Sequence, residues 1–248
     1  MAKFFRKCIQ KLQLASIPQS RCLCCGTGTD LPQTKKLSLC EGCAPDFRLR
    51  TGGYCPSCGQ LSANTKEEPT TCINCRTTPP PWRQLCFFNE YKGELREEIL
   101  QFKFNGAVQN RKLLGQVAFE AFSKLNTKHA NEVVDIIVPV PLHPKRLFQR
   151  GFNQSQEVAL QLHKKTGIPV APTALIRNRH TQPQMTLSRK ERLTNLEKAF
   201  SIGSPAIAGK RILLIDDVFT SGATLKECTT VLLKAGAVCV DILVLARA

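Results

Sequence analysis

Two adjacent carboxylates, Asp216 and Asp217, close an apolar run from Ile212 to Ile215, and a turn of hydroxyls and glycine, Thr220-Ser221-Gly222-Ala223-Thr224, follows. The first turn of a helix leaves backbone N–H groups without partners. Gly222 lacks a Cβ and lets an anion come close to the main chain. Thr220, Ser221 and Thr224 add hydroxyl donors, so the segment from Thr220 to Thr224, Ala223 included, reads as a phosphate cup. Its pattern is neither GxxxxGK[ST] nor GxGxxG, which argues against a nucleoside-triphosphate loop and against a dinucleotide fold. Ionised carboxylates only accept hydrogen bonds, and suit vicinal hydroxyls such as those of a ribose attached to the cupped phosphate. Acids this close to a polyanion require a cation between them, and Mg²⁺, with oxygen ligands, is the expected one. An ordinary Asp-rich turn capped by Thr224 would explain the acids alone.

Such a site needs a strand that ends at the acids and a helix that begins at the cup. The continuous apolar run Ile212–Ile215 reads as a buried parallel strand. Leu225, Cys228, Val231, Leu232 and Ala235 fall on one face of a following helix. In an open α/β sheet a ligand sits beyond the carboxyl end of a strand. Val133–Val140 reads as a second strand, ended by Pro139 and Pro141. Gln84–Tyr91 reads as an edge strand, followed by a helix that turns Leu95, Ile99, Phe102 and Phe104 inward, and Arg111–Leu125 as a further helix. Asn153 starts another, with Val158, Ala159 and Leu162 inward.

The stretch ILLIDDVFTSGAT, Ile212–Thr224, resembles the phosphoribosyltransferase signature of an apolar strand, two acids and a TTG or TSG turn. The resemblance implies that Asp216 and Asp217 hold ribose hydroxyls and that Thr220–Thr224 hold the 5-phosphate of phosphoribosyl pyrophosphate, bound with Mg²⁺. Lys145, Arg146 and Arg150 sit just outside the end of the second strand. Together with backbone groups near Leu142 they are placed to hold the pyrophosphate, and Arg150 is the sharpest candidate because its fork takes phosphate oxygens two at a time. A solvated basic loop and a capped helix is the plainer alternative. Asp216, Asp217 and Arg150 are the candidate catalytic residues. Thr173–Phe200 has a polar middle and then a short helical pattern around Leu187, Glu191 and Leu193–Leu196. It reads as a mobile lid with Arg177, Arg179 and Arg192 as anion contacts, or as a solvated hairpin.

RGFNQS at Arg150–Ser155, PQMTLSRKER with Asn195 at Pro183–Asn195, and IDDVFTSGAT are together similar to the competence protein F family. That likeness implies an α/β fold: a type I phosphoribosyltransferase-like, mostly parallel sheet flanked by helices, preceded by a small cysteine-rich zinc-ribbon domain. It also implies a cytoplasmic role in natural transformation, handling incoming single-stranded DNA beside a competence helicase or membrane channel. A phosphoribosyltransferase of nucleotide salvage or biosynthesis, using a base or amine acceptor, is a second reading. A non-catalytic ligand-sensing or DNA-binding module is a third.

Four CxxC knuckles occupy the N-terminal third: Cys22/Cys25, Cys40/Cys43, Cys55/Cys58 and Cys72/Cys75. Each gap lets both sulfurs face one metal, and four thiolates make a closed tetrahedral zinc site. Sequential pairing of the knuckles gives two structural Zn²⁺ sites with loops of similar length, while a cross-braced arrangement or a single loaded site stays open. A redox role would want one CxxC at a helix start, and disulfides would want a secretory leader, which the N-terminus does not resemble. Cys8, Cys86, Cys228 and Cys239 lie in apolar surroundings and read as core. The proline run at Pro79-Pro80-Pro81 places the boundary between a metal-binding part, 1–80, and a transferase-like part, 81–248. Met1–Leu14 reads as a basic amphipathic helix that docks on the fingers or else meets a membrane or partner.

The net charge is +16 at pH 7, and Leu142–Lys198 holds eleven Lys and Arg against three Glu. Such a surface draws phosphate-rich ligands, a sugar pyrophosphate or single-stranded DNA alike. Aromatic residues are sparse, Trp82 being the sole tryptophan, so no stacking platform is evident. No apolar run reaches transmembrane length.

Overall fold

The computed structural model describes residues 20–29, 37–104, 110–125, 133–179, 199–203 and 207–248. The expected N-terminal helix and the helical part of the lid, with Arg192 and Cys8, lie outside them. In chain order the described elements are β1 (Ser20–Arg21), β2 (Gly28–Thr29), α1 (Ile73–Thr77), β3 (Leu85–Glu90), α2 (Gly93–Phe104), α3 (Arg111–Phe122), β4 (Ile136–Pro139), α4 (Pro144–Arg150), α5 (Gln154–Thr166), β5 (Leu175–Arg177), β6 (Phe200–Ile202), β7 (Arg211–Phe219), α6 (Ala223–Lys234) and β8 (Cys239–Arg247). The chain separates into two compact units, Met1–Pro45 and Asp46–Ala248. The division falls between the two cysteine quartets, so Cys55, Cys58, Cys72 and Cys75 share a unit with the sheet.

That sheet has the order β3-β8-β7-β4 with all pairs parallel, and one further parallel bridge joins Ile137 to Val170. The two most apolar strands take its middle. Ile212, Leu213, Leu214 and Ile215 of β7 and Ile242, Leu243 and Val244 of β8 are all fully buried. Because consecutive side chains point to opposite faces, both faces must be covered. Leu225, Cys228 and Leu232 of α6 pack with Ile212, Leu214, Ile242 and Val244 in one apolar cluster. Helices α3 and α5 pack on each other and on the sheet strands. Each such Leu or Ile contributes about 1.5–3 kcal/mol on burial. Asp241 interrupts the apolar run of β8, and Arg83 answers it with two bonds, Nε–Oδ1 at 2.9 Å and Nη2–Oδ2 at 2.5 Å. A buried carboxylate is tolerated only with such pairing.

The edge position expected for the first strand is observed for β3. Cys86 and Cys228 are buried as expected, and Cys239 is half-buried. One expectation is corrected. Leu95, Ile99 and Phe102 of α2 are each 1% exposed, but Phe104 is 65% exposed. The inward residues follow helical spacing, and two further steps carry Phe104 to the opposite side. Its ring instead lies under the Arg150 guanidinium, 5.3 Å from the centroid.

Candidate functional site

Strand β7 runs between β8 and β4, and its carboxyl end carries both acids. Asp216 Oδ1 accepts from Ser155 Oγ at 3.0 Å and from the Asp217 amide at 2.9 Å. Asp217 Oδ1 accepts from the Val218 amide at 2.7 Å, and its Oδ2 meets Lys103 Nζ at 2.8 Å. The two carboxylates are therefore unequal. Asp217 is balanced by a cation. Burial, and then the charge of Asp217, push Asp216 up to about 7, against the opposing pull of the Asp217 amide, Lys103 and Ser155. The same Asp217 charge holds the Lys103 ammonium above its usual range in spite of burial.

The segment after β4 is tied to the strand end. Val140 N–H donates to Ile215 O at 2.9 Å, and Asn153 Nδ2 donates to Val140 O at 3.0 Å. Asn153 caps α5 by accepting from the Ser155 amide at 3.1 Å, which also aims the Ser155 hydroxyl at Asp216. His143 caps α4 by accepting from the Lys145 amide at 3.2 Å. On α4, Lys145 is exposed, while Arg146 and Arg150 are half-buried, as is Leu142 just before the helix. Burial, with Arg146 adding to it, lowers the Arg150 pKa, and Asp217 opposes. Arg177 is buried over the Phe200 ring, 5.3 Å from its centroid. Burial and Arg146 lower its pKa, and Asp216 opposes. Three cations, Lys103, Arg150 and Arg177, thus share the field of the two acids.

The cup begins right after the strand. Thr220 and Ser221 are exposed, and Gly222 stands at the N-cap of α6 with φ 75°. Gly222 has no side chain to cap the helix, and Ser221 Oγ accepts from the Ala223 amide at 3.4 Å. A Cβ at residue 222 would lie 2.6 Å from Phe219 Cζ, so both the left-handed backbone and the close approach call for glycine. Asp216, Thr220, Gly222, Ala223 and Thr224 line one small depression. A glycine-started helix N-terminus beside exposed hydroxyls can accept an anion, and acids next to it suit sugar hydroxyls or a hydrated divalent cation.

The end of β7 carries both the acids and the cup, and Ser155 and Arg150 bring the segment after β4 to the acids. Lys103 and Ser155 were not foreseen as site residues. Lys103 lies between two phenylalanines near the end of a helix remote in sequence, and no local pattern ties it to Asp217. The Ser155 hydroxyl had a weak signal, two residues beyond the capping Asn153.

Both cysteine quartets form by sequential pairing. Cys22, Cys25, Cys40 and Cys43 make one and Cys55, Cys58, Cys72 and Cys75 the other, with all ligand atoms of each quartet within 4.8 Å of one another. Sulfur pairs at 3.7 Å (Cys25–Cys40) and 3.8 Å (Cys58–Cys72) are far longer than a disulfide. Bonding to Thr27 brings Cys25 down to about 6. Burial works against the Cys55 thiolate, yet amides of Cys72, Cys58 and Ser57 bring it to about 7. Burial raises Cys43 and Cys75. Four convergent sulfurs, some already biased toward thiolate, fit Zn²⁺. Among the described residues no helix is long and apolar enough to cross a membrane.

Residues 106–248 match the phosphoribosyl transferase domain, in agreement with a parallel sheet whose central strand ends at the acids and the cup. Competence protein F of Haemophilus influenzae is 31% identical over 86% of this chain and 92% of its own length. DNA utilization protein YhgH of Escherichia coli K12 is 33% identical over 84% of this chain and 90% of its own. Competence protein ComFC of Bacillus subtilis is 28% identical over 80% and 79%. The chain belongs to the competence protein F family, with a phosphoribosyltransferase-type α/β fold.

Proposed function

We propose that the chain binds phosphoribosyl pyrophosphate with Mg²⁺ and acts in the cytoplasm in natural transformation, handling incoming single-stranded DNA. The observation that carries the ligand reading is the junction at the end of β7, where two unequal acids stand directly before a glycine-started helix. Asp216 and Asp217 hold the ribose hydroxyls, and Thr220, Ser221, Gly222, Ala223 and Thr224 hold the 5-phosphate. The backbone near Leu142, with Lys145, Arg146 and Arg150, takes the pyrophosphate. Mg²⁺ supplies charge neutralisation between acids and phosphates. The eight paired-knuckle cysteines hold Zn²⁺ as structure, residues 1–80 forming the metal-binding part and 81–248 the transferase-like part. The DNA role draws support from the names of the relatives and from the basic charge.

If the bound ligand turns over, pyrophosphate leaves the anomeric carbon, charge grows there and on the departing phosphates, and the cations around the acids stabilise it. A base or amine acceptor then makes the protein a phosphoribosyltransferase. Binding without turnover makes it a sensing module. Pyrophosphate release across a panel of bases and amines separates the two. Calorimetric titration with phosphoribosyl pyrophosphate and Mg²⁺ tests the site itself. Asp216→Asn with Asp217→Asn is expected to weaken binding about a hundredfold, two charge-assisted contacts being lost. Unchanged binding contradicts the assignment.

A further inference from the structure

The loop between the first two sulfurs of the second quartet is Cys55-Pro56-Ser57-Cys58, and three of its consecutive carbonyls are bonded to residues at or near the ends of the sheet strands in the same unit. Pro56 O accepts from the Leu85 amide at 3.1 Å, where β3 begins. Ser57 O accepts from Trp82 Nε1 at 2.7 Å. Cys58 O accepts from Arg247 Nε at 3.1 Å. The last two donors meet again at one ring. Trp82 stands edge-on to Phe219 with centroids 5.9 Å apart and planes at 81°. The Arg247 guanidinium lies 4.9 Å from the centroid of Phe219, and its Nη1 donates to Phe219 O at 3.2 Å. Phe219 is the last residue of β7, and its ring tip sits where a Cβ on Gly222 would be, 2.6 Å away. Gly59, just past the knuckle, also lies close to Arg247: a Cβ there would lie 3.0 Å from Cδ.

We infer that the second cysteine quartet positions the phosphate cup, through Trp82 and Arg247 acting on Phe219. A four-thiolate metal site fixes the loop between its ligands and so fixes where the Ser57 and Cys58 carbonyls point. Those carbonyls set the indole and the guanidinium, these clamp the Phe219 ring, and the ring supports Gly222 and the amides that follow. Trp82 and Phe219 are 7% and 3% exposed, so neither ring has room to drift while the clamp holds. Without metal the loop loses its anchor, and the cup amides lose their fixed height above the strand. Trp82 and Arg247 do not line the depression and are positioning residues; Phe219 lines it and carries their constraint to the cup.

The inference rests on the cup binding a sugar phosphate, and the test keeps the two apart. The metal-loaded full chain is titrated with ribose 5-phosphate, read by calorimetry and by emission of Trp82, the sole tryptophan. Wild type is expected to bind with a shift in emission. Arg247→Met, with zinc content unchanged, is expected to bind about tenfold or more weakly and to lose the shift, since small misplacements of a site are costly. Wild type stripped of metal by a chelator is expected to show the same loss, and stripping Arg247→Met is expected to add little more. Unchanged affinity in either arm, with wild type binding, overturns the coupling alone. Should stripping unfold the chain, the metal-retaining Arg247→Met arm decides. No binding by wild type overturns the cup assignment and the coupling with it.

Discussion

Asp216 and Asp217 are neighbours of one chemical type held in different states. Lys103 neutralises Asp217, whereas burial and the adjacent charge raise Asp216 to about 7. For a carboxyl raised above its unfolded value, the folded chain holds the proton longer. Stability is then greatest below the unfolded value, near 4, and declines as pH rises toward 7. Asp216→Asn is accordingly expected to raise stability above pH 7 by about 1–3 kcal/mol and to change little near pH 4, as read by denaturant unfolding across pH. Ligand binding runs the other way. Sugar hydroxyls and Mg²⁺ favour the ionised acid, so affinity for the sugar pyrophosphate is expected to fall as pH drops below about 7, and to flatten in Asp216→Asn. Wild-type affinity is expected to change about tenfold per pH unit below the pKa, and a pH-independent affinity from 5 to 8 would refute the unequal-acid account. The acids were legible because they sit inside a run of apolar, acidic and hydroxyl residues that only one kind of strand–helix junction explains. Lys103 was not, because its pairing is tertiary: helix periodicity says which residues of α2 turn inward and is silent on what an off-face lysine meets.

At the scale of elements, the junction of β7 and α6 depends on a backbone that only glycine accepts. Gly222→Ala adds a methyl to a left-handed residue whose Cβ would collide with Phe219. It is expected to cost about 1–3 kcal/mol in thermal unfolding and to abolish sugar-phosphate binding. Normal binding with normal stability would contradict the close approach. The strands were legible from their apolar runs, and the observed β4 and β3 fall within the expected ranges. The outward turn of Phe104 was missed because apolar character was read as burial, although an exposed aromatic at a helix end is stable once a guanidinium covers it.

At the scale of the molecule, the excess of Lys and Arg was plain in composition, but composition does not say whether the charge serves a small anion or a polymer. Single-stranded DNA is expected to bind at low salt with an affinity that falls steeply as salt rises, measured by fluorescence anisotropy, and no binding at low salt removes the DNA role. The two cysteine quartets were legible as four knuckles, yet the second quartet's bonds to Trp82 and Arg247 were not, since they run through main-chain carbonyls that leave no mark in side-chain spacing. The most direct measurement for the whole account is a crystal structure with phosphoribosyl pyrophosphate and Mg²⁺. The account predicts ribose hydroxyls on Asp216 and Asp217 and the 5-phosphate on the amides from Thr220 to Thr224. Ligand density away from the end of β7, or none at saturating ligand, would contradict it.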